Sequence, residues 1–166
     1  MAPSFSDPGI KEFVPTLSSP EDLNRPTSPQ SRALDWLIRV DEVARGEADL
    51  TQRYVLATLF FGTNGDTWEI NRDWLSPTKS VCEWFTSGFS KTVCNDEGLL
   101  RELNLKRNNM TGTIPTELGH LSDQLQVLDF SSNSLTGTLP TELGKLLNVE
   151  DFHVSLHQST HINRAD

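Results

Sequence analysis

Apolar positions recur at three- and four-residue steps in two stretches near the start of the chain, and this period predicts amphipathic helices. The first helix is expected from Ser28-Pro29, where a capping hydroxyl precedes a proline at the first helical position, to about Val40. The second is expected from about Leu50 to Phe61, because the glycines at positions 62 and 65 suit a helix C-terminus. The aromatic residues that follow have no fixed period, so we interpret them as plugs of an irregular region: Trp68, Trp74, Trp84, Phe85 and Phe89.

A longer period occupies the later part of the chain. Every landmark of residues 103–121 recurs 25 positions later in residues 128–146, as Leu103 and Leu128 illustrate. A third copy opens 24 positions further on but loses the pattern after Val154. No unit of such an array buries its apolar face alone, so the units must stack. We expect each L-x-L segment to form a short strand, parallel to its neighbours and about 4.8 Å from them, with its leucines turned inward.

Both complete copies match almost fully the pattern L-x-x-L-x-L-x-x-N-x-L-x-G-x-I-P-x-x-L-G-x-L. Through these residues the chain resembles the plant-type extracellular leucine-rich repeat proteins, which also occur in algae and microbes. The resemblance covers about residues 50–154 and departs from the family in a longer stretch between the cysteines and in the incomplete third repeat. The upstream segment is similar to the family's N-terminal cap at Tyr54 to Phe61, Thr63 to Trp68, Asn71 to Leu75, Cys82 to Trp84 and Val93 to Asn95.

This resemblance implies an α/β solenoid, namely a short leucine-rich repeat coil with parallel strands on its concave face and a helical N-terminal cap. We expect the cap at residues 28–98, two full repeats plus a partial third at 99–155, and an irregular tail at 156–166. Six of the nine prolines fall in the first 29 residues. Because that composition buries too little apolar surface to offset chain entropy, residues 1–27 are expected to be disordered.

Strand side chains alternate between two faces, so the residues between the inward leucines should lie on the concave surface. Their charge grades from basic in the first repeat to acidic in the third. Since repeat coils present such surfaces to ligands, we predict binding of a protein or peptide here. The simpler alternative is that these positions are polar only for solubility. The candidate residues are Arg101, Glu102, Asn104, Lys106, Arg107, Gln126, Asp129, Ser131, Glu150, Asp151 and His153.

Asn108 and Asn133 occupy the same place in the two complete repeats, where the chain leaves each strand. An amide side chain at that place can satisfy backbone groups that have no neighbouring strand partner. We therefore predict a structural role for both residues rather than contact with a ligand.

Two cysteines allow one disulfide or two free thiols, and they cannot by themselves supply four zinc ligands. The family resemblance implies that Cys82 and Cys94 form a disulfide, which would stabilise the fold by roughly 2–4 kcal/mol. A disulfide indicates an oxidising compartment, so a secreted or cell-surface protein is expected. Asn109-Met110-Thr111 is a glycosylation acceptor sequence and agrees with that location, although no signal peptide or membrane-spanning run is recognisable.

The net charge of −9, from 23 acidic and 14 basic side chains, argues against nucleic acid as a partner. Nucleic-acid affinity depends on clustered Lys and Arg that contact phosphates. In this chain the basic residues are scattered and outnumbered. The expected partner is therefore a protein or peptide.

No phosphate-binding glycine loop, nucleophile elbow, zinc-protease motif or kinase signature occurs, so neither an enzymatic activity nor a cofactor is predicted. Three histidines recur at every fourth residue, at 153, 157 and 161, which on a helix would align possible metal ligands. His153 occupies a strand position of the repeat, so no metal site is predicted. The carboxylates of the cap are interpreted as turn caps or solvated groups rather than an acid–base pair: Asp66, Asp73 and Glu83.

The prediction is therefore a non-enzymatic, receptor-ectodomain-like module that binds a protein or peptide. Because the third repeat breaks off, we expect an exposed apolar end and interpret the chain as a fragment of a longer protein. The resemblance also allows a small inhibitor of secreted hydrolases, and an intracellular scaffold with free cysteines is a further alternative. An enzyme would require a pocket with converging titratable groups.

Overall fold

The computed structural model describes residues 7–41, 47–84, 91–121 and 124–157. The described residues up to position 84, which we call the helical part, are followed by a mixed β-sheet. The helices are α1 (Asp7–Phe13), α2 (Pro20–Asn24), α3 (Pro29–Arg39) and α4 (Glu47–Gly62). The strands are β1 (Lys91–Cys94), β2 (Leu100–Asn104), β3 (Thr111–Thr113), β4 (Val127–Thr136) and β5 (Asp151–Leu156). Short 3-10 helices occupy Val14–Thr16, Gly65–Thr67, Val81–Glu83, Thr116–His120 and Thr141–Lys145.

The two helices predicted from apolar periodicity are confirmed as α3 and α4. Ser28 caps α3 by accepting a hydrogen bond from the N–H of Ser31 at 3.0 Å, and Pro29 takes the first helical position. The buried face of α3 consists of Ala33, Trp36 and Leu37. Helix α4 begins at Glu47, slightly earlier than expected, and packs against α3.

The prediction of a disordered segment over residues 1–27 is wrong for the part of it that the structure describes. Residues 7–24 contain α1, a 3-10 turn and α2, whereas residues 1–6 lie outside the described part. Ile10 and Val14 are buried although neither belongs to a periodic apolar pattern. They reach the core because α1 packs against α3, a tertiary contact that composition does not reveal.

A buried hydrogen-bond chain ties this N-terminal segment to the first repeat. The Ser18 hydroxyl donates to Glu117 Oε1 at 2.6 Å and lies 2.7 Å from the Tyr54 hydroxyl. Gln30 Nε2 donates to the other Glu117 oxygen at 3.1 Å. Burial, reinforced by the nearby Glu117 carboxylate, raises the pKa of the Tyr54 hydroxyl above its usual range although its hydrogen bond to Ser18 acts the other way.

Replacing Ser18 with alanine should lower the free energy of unfolding by about 1–3 kcal/mol, because Glu117 would stay buried and lose its closest donor. Urea denaturation of the full chain measures this loss. Thr27→Ala changes an exposed residue of the same segment and should leave stability unchanged. If Ser18→Ala were as stable as the unsubstituted protein, residues 7–27 would not be docked on the repeat.

The sheet combines the expected parallel strands with one antiparallel strand. β2, β4 and β5 are parallel, with Leu103 opposite Leu128 and Leu128 opposite Phe152. β1 pairs antiparallel with β2 and lies within residues 28–98, where a helical cap and no strand was predicted. The reversal occurs in the short turn between the two strands, where Asn95 Oδ1 accepts hydrogen bonds from the N–H groups of Glu97 and Leu99. A connection this short can join only antiparallel neighbours.

The apolar residues of the L-x-L segments in the first two repeats point into the core, as predicted, whereas Leu139, later in the second repeat, is 43% exposed. Leu103, Leu105, Leu128 and Phe130 are fully buried. The second half of β4 pairs in parallel with β3, so the first coil (residues 99–121) and the second (residues 124–146) are joined by backbone hydrogen bonds along a second stretch. Stacking thus hides the apolar face that one coil could not bury alone.

The helical part is joined to the first coil through backbone contacts. The N–H of Thr111 donates to the carbonyl of Thr63 at 3.2 Å, and the N–H of Glu69 donates to the carbonyl of Asn108 at 3.1 Å. A Cβ added to Gly112, whose φ is +85°, would lie 2.4 Å from the carbonyl oxygen of Gly62. A side chain at position 112 would collide with the end of helix α4. Glycine therefore allows the first coil to approach α4 this closely.

The third coil, which contains strand β5, is less buried than the first two. Phe152, which corresponds to the buried Leu128, is 43% exposed, and Leu147 is 83% exposed. β5 extends through Leu156, one residue beyond the predicted end of the repeats, because its pairing with β4 continues to Leu135. The remainder of the predicted irregular tail, residues 158–166, lies outside the described residues.

Candidate functional site

The parallel register brings corresponding residues of three coils into rows that run across the strands. Glu102 lies opposite Val127, which lies opposite Asp151. In the row just before it, the N–H of Gln126 donates to the Arg101 carbonyl at 2.8 Å, and the N–H of Glu150 donates to the Gln126 carbonyl at 2.9 Å. These backbone bonds fix the spacing of the side chains along the face.

We call the row Arg101, Gln126 and Glu150, together with Glu102, Asp151 and His153, the charged strip. Its charge runs from Arg101 at the first coil to Glu150 and Asp151 at the third. Arg101 Nε donates to Gln126 Oε1 at 2.6 Å, which links the first two coils of the strip. The carboxylate of Glu150 has no ion-pair partner among residues 7–41, 47–84, 91–121 and 124–157 and is exposed. The strip is therefore a polarised surface whose acidic end is open to solvent.

The predicted candidate residues differ in their accessibility. Five of them are exposed: Arg101, Arg107, Glu150, Asp151 and His153. Five are half-buried: Glu102, Asn104, Lys106, Gln126 and Ser131. Arg107 follows β2 at a φ of 54° and therefore belongs to the turn after the strand. The surface that can meet a ligand is narrower than the sequence pattern indicates.

Asp129 is buried, contrary to its prediction as a surface contact. Its Oδ1 accepts hydrogen bonds from both the N–H and the hydroxyl of Ser131, at 2.9 and 2.6 Å. Asn104 occupies the same place in the first coil and accepts from the N–H of Lys106 at 3.2 Å. A short acceptor side chain that binds the backbone two residues ahead forms an Asx turn. Asp129 and Ser131 are thus engaged in closing the turn that follows the strand.

Sequence reasoning missed Lys91, which belongs to the antiparallel strand β1 and extends the basic end of the surface. Its Nζ lies 2.8 Å from Glu102 Oε2, and its Cα is paired with Asn104. The adjacent β-branched residues Thr92 and Val93 are the sequence signal of this strand. This signal was too short to distinguish strand β1 from the irregular region predicted around it.

Both repeat asparagines are buried and bonded to backbone groups. Asn133 Oδ1 accepts from the N–H groups of Asn108 and Met110, at 2.9 and 3.0 Å, and its Nδ2 donates to the carbonyls of Leu105 and Phe130, each at 2.9 Å. Asn108 forms two hydrogen bonds with the backbone of Ile70 in the helical part. Its Oδ1 accepts from the N–H of Ile70, and its Nδ2 donates to the carbonyl of Ile70. Such side chains replace strand partners inside the coil.

Cys82 and Cys94 form a disulfide, with their Cα atoms 5.6 Å apart. It joins the 3-10 helix Val81–Glu83 to strand β1 at the edge of the sheet. The glycosylation candidate Asn109 is exposed, and its Nδ2 donates to the carbonyl of Thr67 at 3.0 Å. Attachment of a sugar would replace one of the two hydrogens on that nitrogen.

His153 lies on strand β5 and is exposed, while His161 lies outside the described residues. Within the described ranges no three His, Cys, Asp or Glu side chains converge as a metal site. No helix in those ranges has the length and apolar character needed to cross a membrane. Away from the strip, burial and then the Lys145 ammonium lower the pKa of His120.

Two cavities are notable in the described part of the chain. One, of about 290 Å³, opens beside the acidic end of the charged strip and is lined by Gln124, Gln126, Leu147, Asn148, Val149 and Glu150. The other, of about 450 Å³, lies on the helical part and is lined by Pro26, Ser31, Arg32, Asp35, Trp36, Val40 and Phe61. Only the first shares residues with the strip.

The sequence model of the Leucine Rich Repeat family matches residues 99–121 and 124–146. These matches coincide with the two complete repeats and include strands β2 and β4. No curated protein matches the chain significantly in sequence.

Similar solved structures include receptor ectodomains. One is the crystal structure of PEPR1-AtPEP1, with 28% sequence identity and a TM-score of 0.44. The alignment covers 57% of this chain and 13% of that chain. The LRR ectodomain of the plant membrane receptor kinase GASSHO1/SCHENGEN3 from Arabidopsis thaliana, in complex with CASPARIAN STRIP INTEGRITY FACTOR 2, is 32% identical, with 54% and 10% covered and a TM-score of 0.46. The BIR3–SERK2 complex from Arabidopsis thaliana gives 18% identity, 50% and 56% coverage and a TM-score of 0.32. The chain thus spans only about a tenth of the first two proteins.

Proposed function

We propose that this chain, a leucine-rich repeat protein of the plant type, is a non-enzymatic recognition module that binds a peptide or protein segment along the charged strip. The observation that carries the proposal is the row of Arg101, Gln126 and Glu150, which the parallel ladder holds in order across three coils. An extended segment laid across the strands would meet a cation first and then carboxylates. Complementary charges of this kind select the orientation of a ligand and speed its association.

The helical part supports this role as an N-terminal cap of a short solenoid. It covers the first coil through the backbone contacts of Thr63 and Thr111 and through the Asn108 pair. Terminal coils of repeat proteins need such a cover, because their inward leucines would otherwise meet solvent. The cap therefore holds the first strand of the strip in a fixed position.

The disulfide supports a secreted or cell-surface location. Bonds of this type persist in oxidising compartments and are rare in the cytosol. The Cys82–Cys94 bond therefore disfavours the intracellular scaffold, which requires free thiols. Two of the similar structures are PEPR1-AtPEP1 and the GASSHO1/SCHENGEN3 ectodomain in complex with CASPARIAN STRIP INTEGRITY FACTOR 2, and a protein or peptide ligand is proposed for this chain as well.

The proposal is tested with a random peptide library displayed on phage and selected on the oxidised full chain. Enriched peptides should lose about tenfold in affinity on the double variant Arg101→Glu, Glu150→Lys, because both ends of the strip then repel the ligand that they attracted. Binding is measured by calorimetry with synthetic peptides at two salt concentrations.

Glu142→Lys is the matched control. It makes the same type of charge change on the 3-10 helix Thr141–Lys145, away from the strip, and should leave affinity unchanged. An absence of enriched peptides, or peptides equally sensitive to the control and to the double variant, would overturn recognition through the strip.

A further inference from the structure

The cavity of about 290 Å³ between the second and third coils forms the acidic end of the charged strip. Its lining comes from two equivalent loops, Gln124 and Gln126 before β4 and residues 147–150 before β5. The two loops are joined directly, because the Gln126 carbonyl accepts hydrogen bonds from the N–H groups of both Glu150 and Asp151, at 2.9 and 3.1 Å. Its volume lies at the low end of ligand pockets, which suits a single side chain rather than a cofactor.

The charge of this cavity is set by one residue. Glu150 is its only charged lining residue, and its carboxylate is exposed without an ion-pair partner among the described residues. Asp151 follows it at the same end of the strip. The guanidinium group of the strip, that of Arg101, donates from its Nε to Gln126 Oε1 and is not part of the cavity lining. The lining of the cavity therefore carries one negative charge and no positive charge.

The remaining lining suits the stem of a long basic side chain. Leu147 is 83% exposed and is thus available to pack against methylene groups. Lys and Arg side chains cover apolar surface with their stems while the charged head binds elsewhere. An acidic group beside an open leucine is the complement of that shape.

We propose that this cavity is a subsite for one Arg or Lys side chain of the ligand, bound through the Glu150 carboxylate and the exposed face of Leu147. The inference rests on the proposed function, because it names the chemistry of one end of the same ligand. It fixes the direction of the bound segment: its basic residue lies at the third coil, and its acidic or neutral part lies toward Arg101.

The subsite is tested without any peptide, by titrating the ¹⁵N-labelled full chain with N-acetyl-arginine amide and with N-acetyl-citrulline amide. The two probes have nearly the same shape and differ in charge. The arginine probe should shift the amide signals of Gln126 and Glu150 and bind about fivefold more tightly than the citrulline probe, the upper range for an exposed ion pair. Glu150→Gln should remove that difference, whereas Glu142→Gln, on the Thr141–Lys145 helix, should retain it.

Equal binding of both probes, shifts confined to other residues, or an unchanged preference in Glu150→Gln would each overturn the subsite. The result is separable from the test of the proposed function. Library peptides that need the strip but contain no basic residue would overturn the subsite alone. Selective binding of the arginine probe with no enriched peptide would overturn the proposed function and leave the pocket chemistry standing.

Discussion

Replacing Asn133 with alanine is expected to lower the free energy of unfolding by about 4 kcal/mol or more. The substitution removes the partner of four buried backbone groups: the N–H groups of Asn108 and Met110 and the carbonyls of Leu105 and Phe130. Each buried polar group left without a partner costs about 1–3 kcal/mol. Since domains of this size are stable by only about 5–15 kcal/mol, the variant should be close to unfolded at room temperature.

Thermal and urea denaturation followed by circular dichroism measure this effect. Asn108→Ala provides an internal scale, because among the described residues the Asn108 side chain serves two backbone groups, both of Ile70, and about half the loss is expected. Asn24→Ala alters an exposed asparagine at the end of α2 and should be neutral. A loss below 1 kcal/mol for Asn133→Ala would mean that water replaces the side chain, and the ladder would not be structural.

Replacing Arg53 with methionine should cost about 3–5 kcal/mol, the range for breaking a buried ion pair. The Arg53 and Asp41 side chains are 0% and 1% exposed and are joined by two hydrogen bonds. Arg53 also donates to the carbonyls of Lys79 and Ser76, at 2.8 and 2.9 Å. Methionine would fill part of the space but would remove the guanidinium group that pairs with the buried Asp41 carboxylate.

Arg39→Met is the matched control, because Arg39 pairs with Asp35 on the surface, at 73% and 61% exposure. That pair should contribute no more than about 0.5 kcal/mol. The double variant Arg53→Met, Asp41→Leu should regain much of the lost stability, since a buried pair replaced by apolar groups is often neutral. If Arg53→Met and Arg39→Met were equally stable, the buried pair would have no special role in joining α4 to the segment that follows α3.

Much of the repeat region was predictable because its pattern is local and repeated. Leu103 and Leu128 recur at a fixed distance, and only a stacked coil buries both. Helix α3 was predictable for a similar reason, because Ser28 and Pro29 specify its start through groups within one turn. A sequence pattern that repeats along the chain, or that is complete within a few residues, can be interpreted without knowledge of the tertiary structure.

The predictions that were wrong or incomplete concern residues whose surroundings are set by other parts of the chain. Ile10 and Val14 are isolated in sequence, and their burial follows from contact with α3. Asp129 has the alternation of a surface residue, but Ser131 turns its carboxylate into the bend that follows the strand. Lys91 joins the candidate site only because a tight turn folds β1 back onto β2. In each case the deciding partner belongs to another element or to a turn whose shape the pattern does not encode.

The sequence by itself determined which residues face inward and where each coil begins, because period and side-chain alternation are properties of the chain. Only the tertiary structure decided which polar residues are accessible and which charges share a surface. The placement of Glu150 beside Gln126, and the engagement of Ser18 by Glu117, depend on how distant segments dock. Docking is governed by the summed burial of many side chains, so a local pattern does not specify it.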